Sequence, residues 1–257
     1  MLDRFSRKMQ TRSAALLLSI DGRMDRILQY WLVIAGLSSA ARIALSSHSQ
    51  GGAALSTFVS YMLLVIAPFA STLLALRWFS NGHHQPQPAM RLAVTGRWMP
   101  LARSESERHP LYGPSGMMVS LLVGMMLNVP VRAAEYMAAM PPLPEAAPRW
   151  LSSLHLAMTF DVVLFSSLYM IATVAALRRV PLFPRLLVAI WIGDVAMQLS
   201  TAKLVTATGG LPQEVSSALQ NLLEGNVKKT LISMALWLPY LLLSTRVNVT
   251  YRARVPV

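Results

Sequence analysis

Six long apolar segments alternate with polar ones along the sequence, and this pattern constrains the fold more than any other feature. A helix needs about 20 apolar residues to cross the hydrocarbon core of a bilayer, and only helices and closed barrels satisfy their backbone hydrogen bonds there. The pattern predicts an all-α polytopic membrane protein with six transmembrane helices. The predicted spans are Ile27–Leu45, Ala54–Leu76, Gly113–Met140, Trp150–Leu177, Leu186–Ala207 and about Lys229–Ser244.

The composition agrees with a chain that lies mostly in lipid. Charged residues make up 13% of the 257 residues and hydrophobic residues 54%, whereas about 25% of a soluble domain is charged. The net charge of +12 does not indicate nucleic acid binding, because the basic residues form short clusters between the apolar segments. The absence of cysteine excludes disulfides, thiolate metal sites and a cysteine nucleophile.

Lysines and arginines are distributed unevenly between the two sides of the predicted spans. Of the 23 cations, 17 lie on the side of the N-terminus: six up to Arg26, five from Arg77 to Arg108, three from Arg178 to Arg185 and three from Arg246 to Arg254. Loops with such an excess of cations remain in the cytoplasm. We therefore expect both termini to be cytoplasmic.

The extramembrane segments divide the chain into regions. Residues 1–26 are a basic N-terminal segment, for which an interfacial helix and a flexible tail are alternative interpretations. Residues 27–77 hold two spans, 78–112 a mobile cytoplasmic linker rich in Pro, Gln and Gly, and 113–257 a four-span module. Within the module, apolar residues at helical spacing in 209–226 predict a short periplasmic helix on the membrane surface.

Motifs in the second half of the chain resemble a known family. RRVPLFPRLLVAIWI (Arg178–Ile192) is similar to its basic, proline-containing turn, LISMALWLPYLLLSTRVNVTY (Leu231–Tyr251) to its ending, and GPSGMMVSLLVGMML to its first span. Over residues 113–254 the chain thus resembles the bacterial membrane family catalogued as domain of unknown function 2569. It departs from the family pattern at Asn248, usually lysine, and at Tyr251, usually phenylalanine. The resemblance implies a four-helix inner-membrane module without an established activity.

Ionisable residues inside the predicted spans are candidate functional residues, because each is costly to insert. At about 1.5 Å per residue, five of them fall at similar depths and predict a polar layer toward the outer leaflet. One interpretation is structural: Asp161 pairs with Lys203 or Arg42, and Arg132 with Glu135. The alternatives are a polar pocket for a lipid headgroup or small ion, and snorkelling to the surface. The layer comprises Arg42, Arg132, Glu135, Asp161 and Lys203.

Asp194 is expected to differ from this layer. It falls at about 12 Å from the cytoplasmic end of its span, where no cation matches its depth. An unpaired buried carboxylate would suit a proton or ion site. The alternative is a carboxyl group that bonds a neutral side chain on a neighbouring helix.

Three arginines, Arg178, Arg179 and Arg185, flank the prolines of a tight turn. They are candidates for binding anionic headgroups. The alternative is that they serve only to keep this loop in the cytoplasm. No metal site and no cofactor are predicted. The adjacent His83 and His84 lie in a polar loop that solvent would surround. The methionine pairs of the span Gly113–Met140 are ordinary packing residues of an apolar helix.

The sequence contains no motif for catalysis, and we expect a protein that is not an enzyme. The predicted role is an accessory, assembly or scaffold subunit of a larger complex in the bacterial inner membrane. Its expected partners are membrane lipids and another integral membrane protein, because the small residues of Ala35–Ala41 allow a second helix to approach closely. The alternative is a small transporter or lipid-handling protein that uses the intramembrane charges.

Overall fold

The computed structural model describes the backbone of residues 2–50, 55–90, 96–144, 147–207 and 212–257. These ranges are mostly helical, because a chain with long apolar segments satisfies its backbone within each helix. The helices are α1 (Leu2–Gly22), α2 (Met24–Gln50), α3 (Leu55–Trp78), α4 (Arg103–Arg108), α5 (Met117–Ala139), α6 (Arg149–Leu177), α7 (Phe183–Ala207), α8 (Gln213–Leu243) and α9 (Thr245–Arg252). A 3-10 turn covers Gly82–His84, and two short strands are β1 (Trp98–Pro100) and β2 (Arg254–Pro256).

Within the described ranges, five helices are long and apolar enough to cross a membrane: α2, α3, α5, α6 and α7. Helices α8 and α9 meet at a bend of 69° and qualify as a sixth span only when they are taken together. The prediction of an all-helical membrane protein is therefore confirmed, with five or six candidate spans.

Helix α6 lies at the centre of the bundle and packs against α3, α5 and α7. One apolar cluster surrounds the starts of α5 and α7 and includes Met118, Phe183, Leu187 and Tyr251. A second cluster lies toward the opposite end, where Tyr61 of α3 meets α5, α6 and α8. Arg132, Asp161 and Asp194 lie along their helices where the first cluster gives way to the second.

The end of the bundle at which α5 and α7 begin is covered by polar segments, and we call it the capped end. Strand β1 pairs antiparallel with β2, with Met99 opposite Val255. The Ser106 hydroxyl of α4 donates to the carbonyl of Val249 at 2.6 Å. Residues 96–112, expected to belong to a mobile linker, are instead held by the C-terminal segment.

Strand β2 can pair with β1 because the chain changes direction after α9. Ala253 adopts a left-handed conformation with φ of 46°, a common way to end a helix. Leu101 then donates its backbone N–H to the Ala253 carbonyl at 2.8 Å. The polar ending of the sequence is therefore part of the cap at this end of the bundle.

The short surface helix predicted within 209–226 is wrong, and residues 209–211 lie outside the described ranges. Residues 213–226 are the first turns of α8, which continues to Leu243. No proline interrupts this stretch, and Gly225 costs a helix only about 1 kcal/mol. Leu219 and Leu223 are buried in the second apolar cluster. The apolar face predicted for the membrane surface therefore packs against protein.

The N-terminal segment is helical, as one of the two interpretations of its sequence expected. Leu17 of α1 joins the first apolar cluster, and the Ser13 hydroxyl accepts a hydrogen bond from the Gly116 backbone at 2.9 Å. The carboxylate of Asp21 lies 3.5 Å from the Arg178 guanidinium. Helix α1 thus packs at the capped end, beside the start of α5.

Candidate functional site

Arg132 of α5 lies between two carboxylates on neighbouring helices. Its NH1 nitrogen is 3.1 Å from Oδ2 of Asp161 on α6, and its NH2 nitrogen bonds Oδ2 of Asp194 on α7. Its Nε donates to Oδ1 of Asn128 at 3.0 Å. The three charged side chains are at most 12% exposed, so these charge-assisted bonds form away from bulk water. We call Arg132, Asp161 and Asp194 the Arg132 cluster.

Neutral side chains make further contacts with the two carboxylates. Gln198 donates to Oδ1 of Asp161 at 3.0 Å. The hydroxyls of Tyr169 and Thr230 lie 3.3 Å and 3.4 Å from Oδ2 of Asp194. Helices α5, α6, α7 and α8 therefore all contribute to one polar layer across the bundle.

Helical spacing explains how these residues come to face each other. Asp194 and Gln198 are four residues apart on α7, and Asp161, Phe165 and Tyr169 are four apart on α6, so each set shares one face. The guanidinium carbon of Arg132 lies 5.3 Å from the Phe165 ring centre, within the range of a cation–π contact. Phe165 and Tyr169 belong to the first apolar cluster, so the Arg132 cluster directly adjoins the apolar layer at the capped end.

The formal charge of the Arg132 cluster is not balanced. One guanidinium faces two carboxylates, which leaves a net charge of −1 when both acids are ionised. Oδ1 of Asp194 is buried and has no hydrogen-bond partner among the described residues. The cluster therefore has the composition of a site that can take up one proton or one small cation.

A second ion pair lies beside the cluster, toward the opposite end of the bundle. Glu135 of α5 bonds the ammonium group of Lys229 on α8. Two small cavities adjoin both Arg132 and Glu135, with volumes of about 20 and 60 Å³. A water molecule occupies about 30 Å³ in the liquid. These cavities have room for a few waters or a small ion.

The structural interpretation of the polar layer predicted the wrong partners for Asp161 and for Arg132. Asp161 pairs with Arg132, not with Lys203 or Arg42, and Glu135 pairs with Lys229 rather than with Arg132. Asp194, expected to lack a cation, bonds Arg132 directly.

The error for Asp194 came from the predicted helix starts. Helix α7 begins at Phe183, three residues before the predicted span, and α5 begins at Met117, four residues after it. At about 1.5 Å per residue, the two shifts bring the depths of Arg132 and Asp194 about 10 Å closer. The long arginine side chain spans the remainder.

Arg42 and Lys203 were also predicted to belong to the polar layer, but their surroundings differ from those of the Arg132 cluster. Arg42 of α2 lies close to the Tyr61 side chain of α3, and Lys203 is on an exposed face of α7. Of the five residues in the predicted layer, Arg132 and Asp161 are in contact, and Glu135 lies beside them. Asp194, which was not predicted to belong to the layer, is also part of the Arg132 cluster.

The three arginines proposed for headgroups already have intramolecular partners. Arg178 faces Asp21 at 3.5 Å, and the guanidinium of Arg179 lies 5.0 Å from the Tyr112 ring centre. Arg185 donates through Nε to the Met90 carbonyl and through NH1 to the Pro181 carbonyl. Each of these arginines joins a loop or helix of the capped end to the turn before α7.

Sequence reasoning missed the neutral members of the polar layer. Gln198 follows Asp194 by four residues, a spacing that could have marked it. Thr230 and Tyr169 gave no signal, because isolated hydroxyls are common in spans. Among the described residues, no group of three or more His, Asp and Glu could hold a metal ion.

Residues 115–252 match a family described as "Protein of unknown function (DUF2569)". No curated protein and no solved structure matches the chain. The matched region begins just before α5 and ends with α9, so it contains the whole Arg132 cluster and the helices that hold it. Because the match covers more than half of the 257 residues, the chain belongs to the DUF2569 family.

Proposed function

We propose that the protein is a non-catalytic accessory, assembly or scaffold subunit that docks onto another integral membrane protein. The observation that carries this proposal is the way the interior charges are used. Arg132 binds both Asp161 and Asp194, and the adjoining cavities are only about 20 and 60 Å³. In this proposal the buried pairs fix the register of the neighbouring helices. In this proposal the Arg132 cluster holds the helices of the four-span module together and does not line a passage for a solute.

Helix α2 offers the surface for docking. Val33, Leu37 and Ala40 are exposed on its outer side, and a Cβ atom added to Gly36 would meet nothing within 4 Å. Gly36 and Ala40 are four residues apart, the spacing at which small residues let two membrane helices approach closely. The partner in this proposal is a transmembrane helix of another protein.

The proposed location is the inner membrane of a bacterium, with both termini in the cytoplasm. The support is the concentration of 17 of the 23 cations on one side of the spans and the rule that such loops stay inside. The capped end is then the cytoplasmic end. Helix α1, the linker and the C-terminal strand all contribute to it.

The docking proposal predicts that the double variant Gly36→Leu, Ala40→Leu loses its partner. The full chain, tagged and expressed in its native membrane, is purified in mild detergent and its stoichiometric companions are identified by mass spectrometry. Two leucines would hold a second helix away, so at least tenfold less partner should be recovered. Gly124→Leu is the control, because Gly124 is also exposed in a span with open space at its Cβ.

Two results would contradict docking through α2. One is a wild-type chain that purifies alone. The other is equal recovery of the partner with the double variant and with Gly124→Leu.

A second candidate function is supported by the unbalanced charge of the Arg132 cluster. Asp194 keeps one buried oxygen without a partner in the described structure, and intramembrane acids of this kind occur on ion and proton pathways. A small transporter that carries protons or a small cation would use this oxygen. Such a function requires water to reach the cluster from one side of the membrane, which thiol labelling beside Asp194 can test.

A further inference from the structure

A second group of arginines surrounds a cavity at the capped end, separate from the Arg132 cluster. The cavity has a volume of about 360 Å³, within the usual range of small-molecule pockets. It lies between the linker, the start of α7 and the C-terminal strand, and its walls include Gln87, Trp98, Arg185, Arg252 and Arg254. We call it the arginine pocket.

The electrostatics of the arginine pocket favour an anion. Three arginines contribute to its walls, and none of its described lining residues is acidic. Burial, together with the charges of Arg254 and Arg185, lowers the pKa of Arg252 to about 10. An anion in the pocket would relieve both the repulsion and the loss of hydration.

Arg252 also has hydrogen-bonding capacity that the protein does not use. It is 8% exposed, and its NH1 donates to the Leu241 carbonyl and to Oδ1 of Asn248, both at 2.9 Å. Its Nε and NH2 have no partner among the described residues. Buried donors of a charged group without partners are costly, and Arg252 lines the arginine pocket, so an anion in the pocket would offset part of that cost.

Arg254 presents a second guanidinium that is already oriented. Its Nε donates to Oδ1 of Asn248 at 2.7 Å, and its guanidinium carbon lies over the Trp98 ring at 4.8 Å from the ring centre. A guanidinium that is fixed in this way loses little freedom when it binds an oxyanion.

We propose that the arginine pocket binds a phosphate group. The guanidinium groups of Arg252 and Arg254 carry the charge that a phosphate needs, and arginine binds phosphate through paired N–H···O bonds. The phosphate belongs either to an anionic lipid headgroup or to a soluble phosphate compound. Both sources present the same chemistry to Arg252 and Arg254.

The test measures binding of two probes to the full chain. Inorganic pyrophosphate is titrated by calorimetry into protein in a neutral detergent, with chloride at equal ionic strength as the reference. In parallel, thermal unfolding is compared in nanodiscs of phosphatidylglycerol and of phosphatidylcholine. Binding of pyrophosphate would identify a soluble source, and stabilisation by phosphatidylglycerol alone would identify a headgroup.

Variants locate the binding in the arginine pocket. Arg254→Gln should weaken binding of the effective probe about tenfold, because it removes one charge-assisted contact. Arg97→Gln is the matched control, since Arg97 is exposed beside β1 and its loss changes the net charge equally. Pro100→Glu places a carboxylate at an exposed wall position and removes no side-chain hydrogen bond, so it should also weaken binding about tenfold.

Two results would overturn the proposal. The first is that neither pyrophosphate nor phosphatidylglycerol has an effect beyond its reference. The second is that Arg97→Gln weakens binding as much as Arg254→Gln and Pro100→Glu, because attraction to a generally basic surface would then explain it.

Discussion

Replacing Arg132 by methionine should lower the free energy of unfolding by about 3–5 kcal/mol, the usual cost of leaving a buried charge without its partner. The variant leaves Asp161 and Asp194 facing each other without the guanidinium that now bonds both. Reversible unfolding in mixed micelles, followed by circular dichroism, measures the change.

The control for Arg132→Met is Lys228→Met, which removes an exposed cation paired with Glu224 on the same helix. Exposed pairs contribute little, so this variant should unfold like the wild type. Neutralising both acids as well, with Asp161→Asn and Asp194→Asn, should recover most of the lost stability. The cluster would have no structural role if Arg132→Met and Lys228→Met unfolded alike.

Asn248→Leu should be the second most damaging change, with a loss of about 3 kcal/mol. The side chain of Asn248 is fully buried. Its amide donates to the carbonyls of Leu242 and Ser244 at 3.1 and 3.0 Å, and its oxygen accepts from Arg252 and Arg254. Leucine has a similar volume but would leave these groups unsatisfied at the bend between α8 and α9.

Thermal unfolding, monitored by tryptophan fluorescence, compares the melting temperature of Asn248→Leu with that of the wild type. Asn81→Leu is its control, because Asn81 is exposed and makes no side-chain capping bond. A melting temperature for Asn248→Leu equal to that of Asn81→Leu would show that the amide does not hold the bend.

The helices of the bundle were predictable because a span is a local property of the sequence. An apolar run of bilayer length forms a helix whatever its neighbours are. The pairing inside the bundle was not predictable in the same way. Whether Arg132 meets Asp161 or Glu135 depends on where each helix begins and on which faces meet, and a shift of three residues changes the depth by about 5 Å.

The polar segments were harder to predict, because their partners are distant in sequence. Strand β1 forms because it pairs with β2, which lies more than 150 residues later in the sequence. Leu219 and Leu223 have the spacing of a surface helix, but the apolar residues of α3 and α5 lie within reach. The arginine pocket likewise depends on Arg185 and Arg252 from separate parts of the chain.

The most direct test of the central claim, a closed interior around the Arg132 cluster, is thiol labelling. The chain has no cysteine, so Thr230→Cys introduces a single thiol beside Asp194, where the Thr230 hydroxyl now lies. Ser80→Cys and Ser217→Cys place exposed controls at the two ends of the bundle. A charged, water-soluble methanethiosulfonate is applied to the folded protein in nanodiscs, and denatured protein gives the value for full reaction.

A closed interior predicts that both controls react fully while the thiol at position 230 reacts only after denaturation. Rapid labelling at position 230 in the folded protein would contradict the scaffold proposal, because it would show a water-filled path to Asp194. The protein would then be better described as an ion or proton carrier.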